Sequence, residues 1–146
     1  MSSCTFFGHR NSPTHIKSDI RAAIVHLIED EGVYNFYVGN QGGFDSMALH
    51  ILRELAGVYP ELRYSVVLAY HPTQTNMSPT ILAEETILPE EVAACHPKFA
   101  IDKRNRWMVE HSDFVIAFAR YSGGAKKFVE LAQKKGKRVV SLAEME

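Results

Sequence analysis

Cysteine is scarce in this chain: Cys4 and Cys95 are its only two, and they lie far apart. That excludes a disulfide framework, and neither keeps a metal-ligand spacing with the other. Cys4 opens an apolar run and reads as a small buried hydrophobe. A reducing, cytoplasmic setting is the expectation. The 7 histidines include no HxxxH or HxH pair, so no metal site is expected. An excess of one charge is also missing. Lys and Arg number 16 against 17 Asp and Glu, for a net charge of −1. That is not the electrostatic footprint of a nucleic-acid binder, and a nucleic-acid partner is not expected. The one locally basic stretch, AKKFVELAQKKGKR at 125–138, reads as a solvated helix face. No apolar run is long enough to span a bilayer, so no membrane partner is expected. The first residues lack the basic-then-apolar pattern of a signal peptide. Repeats, linkers and low-complexity tracts are absent, so residues 1–146 read as a single domain able to bury a core.

What is present is an alternation of strands and helices. Cys4–Phe7 reads as a first strand, and a helix follows from near Pro13, with Ile16, Ile20, Ala23, Ile24, Leu27 and Ile28 at helical spacing. Gly32 suits its end. Asn35–Val38 is the second strand, and Ala48, Ile51, Leu52, Leu55, Ala56 and Tyr59 mark one face of a second helix, closed by Pro60. Tyr64–Ala69 is a third strand and His71–Thr80 a loop. The 81–97 stretch is irregular, with Thr86–Leu88 as a short strand. Phe99–His111 reads as a helix, Phe114–Ala119 as a strand buried on both faces, Gly124–Lys135 as a helix stopped by Gly136, and Arg138–Leu142 as the last strand. The pattern predicts an α/β protein: a three-layer, Rossmann-like, open and mainly parallel sheet with helices on both faces.

In such sheets ligands bind beyond the carboxyl ends of the strands, where strand order reverses. Three predicted strand ends carry unusual residues: Gly8-His9-Arg10, the run from Gly39 through Gly42 and Gly43 to Asp45, and the run from Tyr121 through Ser122 and Gly123 to Gly124. Glycines at a strand-to-helix turn let backbone N–H groups approach an anion, and the helix N-terminus adds partial positive charge. Together they point to a nucleotide-like ligand. Arg104 either grips a phosphate or holds a carboxylate such as Asp113. Asp45 either caps the second helix or binds a ribose hydroxyl. Ser122 is a cap or a phosphate donor. Trp107, the only tryptophan, reads as core packing rather than a stacking platform.

FFGHR after the first strand, GNQGGFDSMA after the second, and RNRWMVEHSDFVIAF followed by a glycine pair resemble the YpsA-like branch of the SLOG superfamily. That superfamily also holds the LOG (lysine decarboxylase-like) phosphoribohydrolases and the DNA-processing protein DprA/Smf. The resemblance implies a Rossmann-like fold and a bound nucleotide or nucleotide-derived ligand, in a sensing or regulatory role, with no required cofactor and with a homodimer as a common assembly. LOG enzymes carry an Arg-Lys pair and a methionine, then a strand and the motif PGGxGTxxE. Arg104 and Met108 match the first part, Gly123-Gly124 the glycine pair, and Glu130 the final acid. In those enzymes the arginine and glutamate serve cleavage of a nucleoside 5′-monophosphate into base and ribose 5-phosphate. The resemblance thus implies Arg104 and Glu130 as catalytic residues of an alternative, hydrolytic function. Asn105 replaces the lysine of the pair, and Ala125-Lys126-Lys127 stands where the motif has x-Gly-Thr, which alters the phosphate cradle and favours binding over hydrolysis.

Overall fold

The computed structural model describes residues 2–73, 78–119 and 124–142. Six strands form one sheet: β1 (Ser3–Gly8), β2 (Asn35–Val38), β3 (Arg63–Val67), β4 (Thr86–Ile87), β5 (Phe114–Phe118) and β6 (Arg138–Ser141). Their order is β4-β3-β2-β1-β5-β6, and every pair is parallel. Among the described residues, five α-helices accompany them: α1 (Lys17–Glu31), α2 (Gly43–Ala56), α3 (Glu90–Ala94), α4 (Ala100–Glu110) and α5 (Gly124–Lys134).

The period of two along the strands sorts the core into two layers. Phe6, Phe36, Val66, Ile116 and Phe118 pack with α1 and α2. Their neighbours Phe7, Val67, Val115 and Ala117 pack with α4 and α5. From β1 the chain winds outward through β2, β3 and β4, then returns beside β1 as β5 and continues to β6. The reversal between β1 and β5 puts the two helix pairs on opposite faces and opens a crevice at the carboxyl ends of these two strands. No described helix is long and apolar enough to cross a membrane.

Several boundaries differ from those the sequence suggests. Pro13 is extended (φ −69°, ψ 145°) and precedes a 3₁₀ turn, Thr14–Ile16, so the α-helix proper starts at Lys17. Gly32 ends α1 in the left-handed region at φ 68°, as expected. The second helix stops at Ala56 rather than near Pro60, because the chain at Gly57 leaves the α-helical bonding pattern; Tyr59 still packs on the core. β4 keeps only two residues of its predicted stretch. The turn before it is braced by a buried carboxylate. Glu85 accepts from Arg53 Nε (2.8 Å) and Nη2 (2.6 Å), from the Tyr64 hydroxyl (2.6 Å) and from Leu82 N (2.9 Å). Chiefly through the Arg53 bonds, its carboxyl is held at about 2.

Candidate functional site

A cavity of about 160 Å³ opens at the carboxyl ends of β1 and β5. Gly8, Arg10, Gln41, Asp45, Arg104, Asn105 and Gly124 supply its polar and backbone lining, and Phe6, Phe7, Ile101, Met108, Ala125 and Phe128 its apolar lining.

Arg104 is the largest fully buried side chain, at 1% exposure. α4 leads back toward the amino end of β5, so its early residues lie near the carboxyl edge. From there Nε donates to Asn105 Oδ1 (2.8 Å), and Nη1 donates to Asn40 Oδ1 (3.1 Å) and the Val67 carbonyl (3.0 Å). Among the described residues, Nη2 has no acceptor. Burial lowers the guanidinium's pKa, while the charge of Asp45 works against that shift; an arginine nevertheless stays protonated. The alternative partner, Asp113, is not near it. Asp113 precedes β5, at the opposite edge of the sheet, and accepts from Ser3 N at 3.1 Å.

Asp45 is the third residue of α2, whose N-cap is Gly42. Its Oδ2 accepts the Gln41 N–H at 2.9 Å. It thus ties down the turn before the helix rather than capping a helical amide. Burial raises its carboxyl to about 6, against the opposing pull of the Gln41 N–H and the Arg104 charge. Gly39 leaves room for both side chains: a Cβ there would lie 2.9 Å from Asp45 Oδ2 and 3.3 Å from Arg104 Nη1. Among the described residues, Asp45 Oδ1 has no donor.

The other candidates divide. Arg10 is exposed, lines the cavity and reaches Gln41 Oε1 at 3.4 Å. Gly124 opens α5 at the cavity, and a Cβ there would meet nothing within 4 Å. Gly8 lines the cavity too, but a Cβ there would strike the Phe44 ring at 2.0 Å, so packing already demands a glycine. Gly42 and Gly43 do not line the cavity. They dock the second turn onto the first: Gly43 N donates to the Arg10 carbonyl at 2.7 Å, and Gly42 sits at φ 95° with Arg10 Cα 2.7 Å from where its Cβ would be. His9 turns its ring edge to Phe118, 5.8 Å between centroids, and is not in the lining. Ser122 and Gly123 lie outside the described residues.

Glu130 is not brought to the cavity. It is exposed and borders a separate depression with Arg106, Lys127, Leu131 and Lys134. The reason is helical phase. Ala125, Phe128 and Ala132 form the buried stripe of α5, and a residue two places past Phe128 stands about 200° round the helix. Lys127 is likewise turned away, onto Asp102 Oδ1 at 2.7 Å. The carboxylate that does line the cavity is Asp45. Trp107 packs edge-on against Tyr37 and stacks on His111, with centroids at 5.1 and 4.0 Å. Among the described residues, no cluster of three or more His, Cys, Asp or Glu could hold a metal.

The sequence marks the run from Gly39 to Asp45 as a strand-end turn but singles out only Gly42, Gly43 and Asp45 within it, and nothing in it marks the Val67 carbonyl. The available signal was the polar pair inside the glycine-rich turn after β2. As it stands, the cavity offers the Nη2 amino group of Arg104, the exposed Arg10 and a helix N-terminus for an anion, beside a carboxylate oxygen for a hydroxyl or amine.

The family model YpsA, described as the YspA SLOG family, matches residues 3–141. No curated protein matches the chain in sequence. Among solved structures, the chain is similar to DNA processing protein A from Helicobacter pylori, described for its single-stranded DNA binding mode. The TM-score is 0.65 at 19% identity, over 96% of this chain and 64% of that one. The likeness is one of fold, and the chain spans about 64% of that protein's length.

Proposed function

The chain belongs to the YspA SLOG family, and from that membership and the cavity's chemistry we propose that it binds a nucleotide or nucleotide-derived ligand at the carboxyl edge of the sheet, in a sensing or regulatory role. One observation carries the reading. Arg104 is buried, held at Nε and Nη1 by three acceptors, and left with Nη2 free of any described acceptor in the lining of the cavity. A guanidinium amino group without a protein acceptor in a cavity wall is available to a phosphate oxygen, and a hydrogen bond to a charged group is worth about 1.5–3 kcal/mol. Gly124 at the start of α5 adds a second anion-favouring group on the same wall.

The hydrolytic alternative needs Arg104 and Glu130 to act on one sugar. Arg104 lines the cavity and Glu130 a different depression, so binding without hydrolysis is the better reading. The fold likeness to a single-stranded DNA binder favours one competing ligand class, a short single strand, whereas the net charge of −1 opposes it.

Calorimetry decides among these. Adenosine monophosphate, ribose 5-phosphate and a short oligodeoxythymidine are titrated into wild type and Arg104→Lys. The expected result is nucleotide binding by wild type and a loss of about thirtyfold in the variant, ~2 kcal/mol for a charge-assisted contact whose geometry lysine cannot reproduce. Binding of the oligonucleotide alone, or equal nucleotide affinity in a folded Arg104→Lys, would overturn the reading.

A further inference from the structure

A second cavity, of about 260 Å³, lies beyond the carboxyl end of β2, between α2 and the segment 78–81. It shares a wall with the first, because Asp45 lines both. We propose that this second cavity is a subsite for the uncharged heterocycle of a nucleotide whose anionic end lies against Arg104, a proposal that rests on the function proposed above.

Size is the first argument. At about 160 Å³ the first cavity falls below the ~300 Å³ at which pockets for whole small molecules begin. It has room for a phosphate and part of a sugar. A ligand entering there extends past Asp45, and the second cavity is the space on the far side of that residue.

Charge is the second argument. Arg53 lines the second cavity, but its Nε and Nη2 are both on the Glu85 carboxylate, and Nη2 also donates to the Thr80 carbonyl at 2.6 Å. Its charge is matched by the Glu85 carboxylate, so the arginine of this cavity is ion-paired where, among the described residues, Arg104 of the first is not. The same bonds fix Thr80 as a firm wall on α2.

The third argument is hydrogen-bond polarity. An arginine only donates, so the Asn40 atom facing Arg104 Nη1 at 3.1 Å is the carbonyl oxygen. That orients the amide: Nδ2 has no acceptor among the described residues, and Asn40 lines the second cavity. Asp45, whose Oδ1 has no described donor, lines this cavity as well. A donor and an acceptor together, with apolar Leu49 and Ile81 beside them and the hydroxyls of Ser46 and Thr80 at hand, suit a flat heterocycle with a mixed hydrogen-bonding edge. The Arg104–Asn40 bond links the two halves, since the residue that meets the anion also sets the amide that reads the heterocycle.

The test compares adenosine monophosphate with ribose 5-phosphate, which lacks the base, on wild type, Ser46→Trp and Asn40→Asp. Ser46 is exposed on α2, so an indole there fills the second cavity without entering the core. Wild type should bind the nucleotide at least about tenfold tighter than the sugar phosphate. Ser46→Trp should remove that advantage and leave ribose 5-phosphate affinity within about twofold of wild type. Asn40→Asp, which replaces the donor with an acceptor, should lower the preference by about tenfold. Undiminished nucleotide preference in both variants overturns the subsite and leaves the proposed function standing. Equal losses for both ligands overturn it as well, since the effect then lies in the first cavity. If wild type binds neither ligand, the proposed function fails, and the subsite with it.

Discussion

Gly8→Ala isolates what the first glycine turn is for. Gly8 ends β1, paired with Phe118 of β5. A Cβ there would lie 2.0 Å from Phe44 Cγ and 2.4 Å from Cδ1 and Cδ2. Carbon atoms in contact normally stand about 3.5–4.0 Å apart, so the ring must retreat by more than about 1 Å. Phe44 is fully buried, in a cluster with Phe6, Val38 and Ala48, and a core packed at crystal-like density has no such space to give. Overpacking typically costs about 1–3 kcal/mol, and a methyl overlapping a whole ring edge belongs at the upper end. At roughly 3 °C per kcal/mol for a chain of this size, a penalty of about 3 kcal/mol lowers Tm by roughly 9 °C.

Scanning calorimetry measures this directly, and a double-mutant cycle assigns it. In a Phe44→Leu background the branched side chain can yield where the ring cannot, so Gly8→Ala should cost less than half as much there, a coupling of about 2 kcal/mol. If Gly8 instead serves backbone approach to a ligand, the methyl leaves Tm unchanged and weakens nucleotide affinity. An equal penalty in both backgrounds, or a Tm within about 2 °C of wild type, less than 1 kcal/mol on that scale, refutes the packing argument.

Asp45→Asn should change the pH dependence of stability. The carboxyl protonates at about 6 in the folded chain against 3.8 as a free group, so the folded state holds more protons between those values. Stability then falls as pH rises through that window and levels off above it. The amide keeps an oxygen for Gln41 N and has no proton to lose. Relative to wild type, the variant should gain about 2 kcal/mol between pH 4 and pH 7, read from urea midpoints; a pH-independent difference refutes the assignment to burial. Glu130→Gln should leave nucleotide affinity within about twofold of wild type, and neither protein should release adenine from adenosine monophosphate. Release of base by wild type that disappears in the variant, followed by chromatography, would restore Glu130 to the site.

Much of the architecture was legible because its signals are local. Asn35–Val38 matches β2 to the residue, since an apolar run between two turns leaves little choice of boundary. Phe114–Phe118, buried at every position, reads as a central parallel strand for the same reason. β4 has only two residues and forms because Val66 and Val67 offer a free edge, which no property of Thr86 or Ile87 reveals. Glu85 shows the same limit. Its burial depends on Arg53 and Tyr64, 32 and 21 residues away, and nothing nearby in sequence marks it.

Glu130 teaches a different lesson. Its phase was readable: Ala125, Phe128 and Ala132 stand at helical spacing, and an acid two places past the middle one belongs on the other face. Motif correspondence with the hydrolases pointed the other way, and the helix's own periodicity was the better guide. The glycines extend the point. Gly8, Gly39, Gly43 and Gly124 carry one local signal, a glycine beyond a strand or opening a helix, yet each answers to a different neighbour: a Phe44 ring, the side chains of Asp45 and Arg104, the Arg10 carbonyl, and open space. Of these four, Gly124 alone has the space beside its missing side chain left for something outside the chain. A glycine-rich turn therefore locates the edge where a ligand can bind, and only the three-dimensional neighbours decide which glycine faces it.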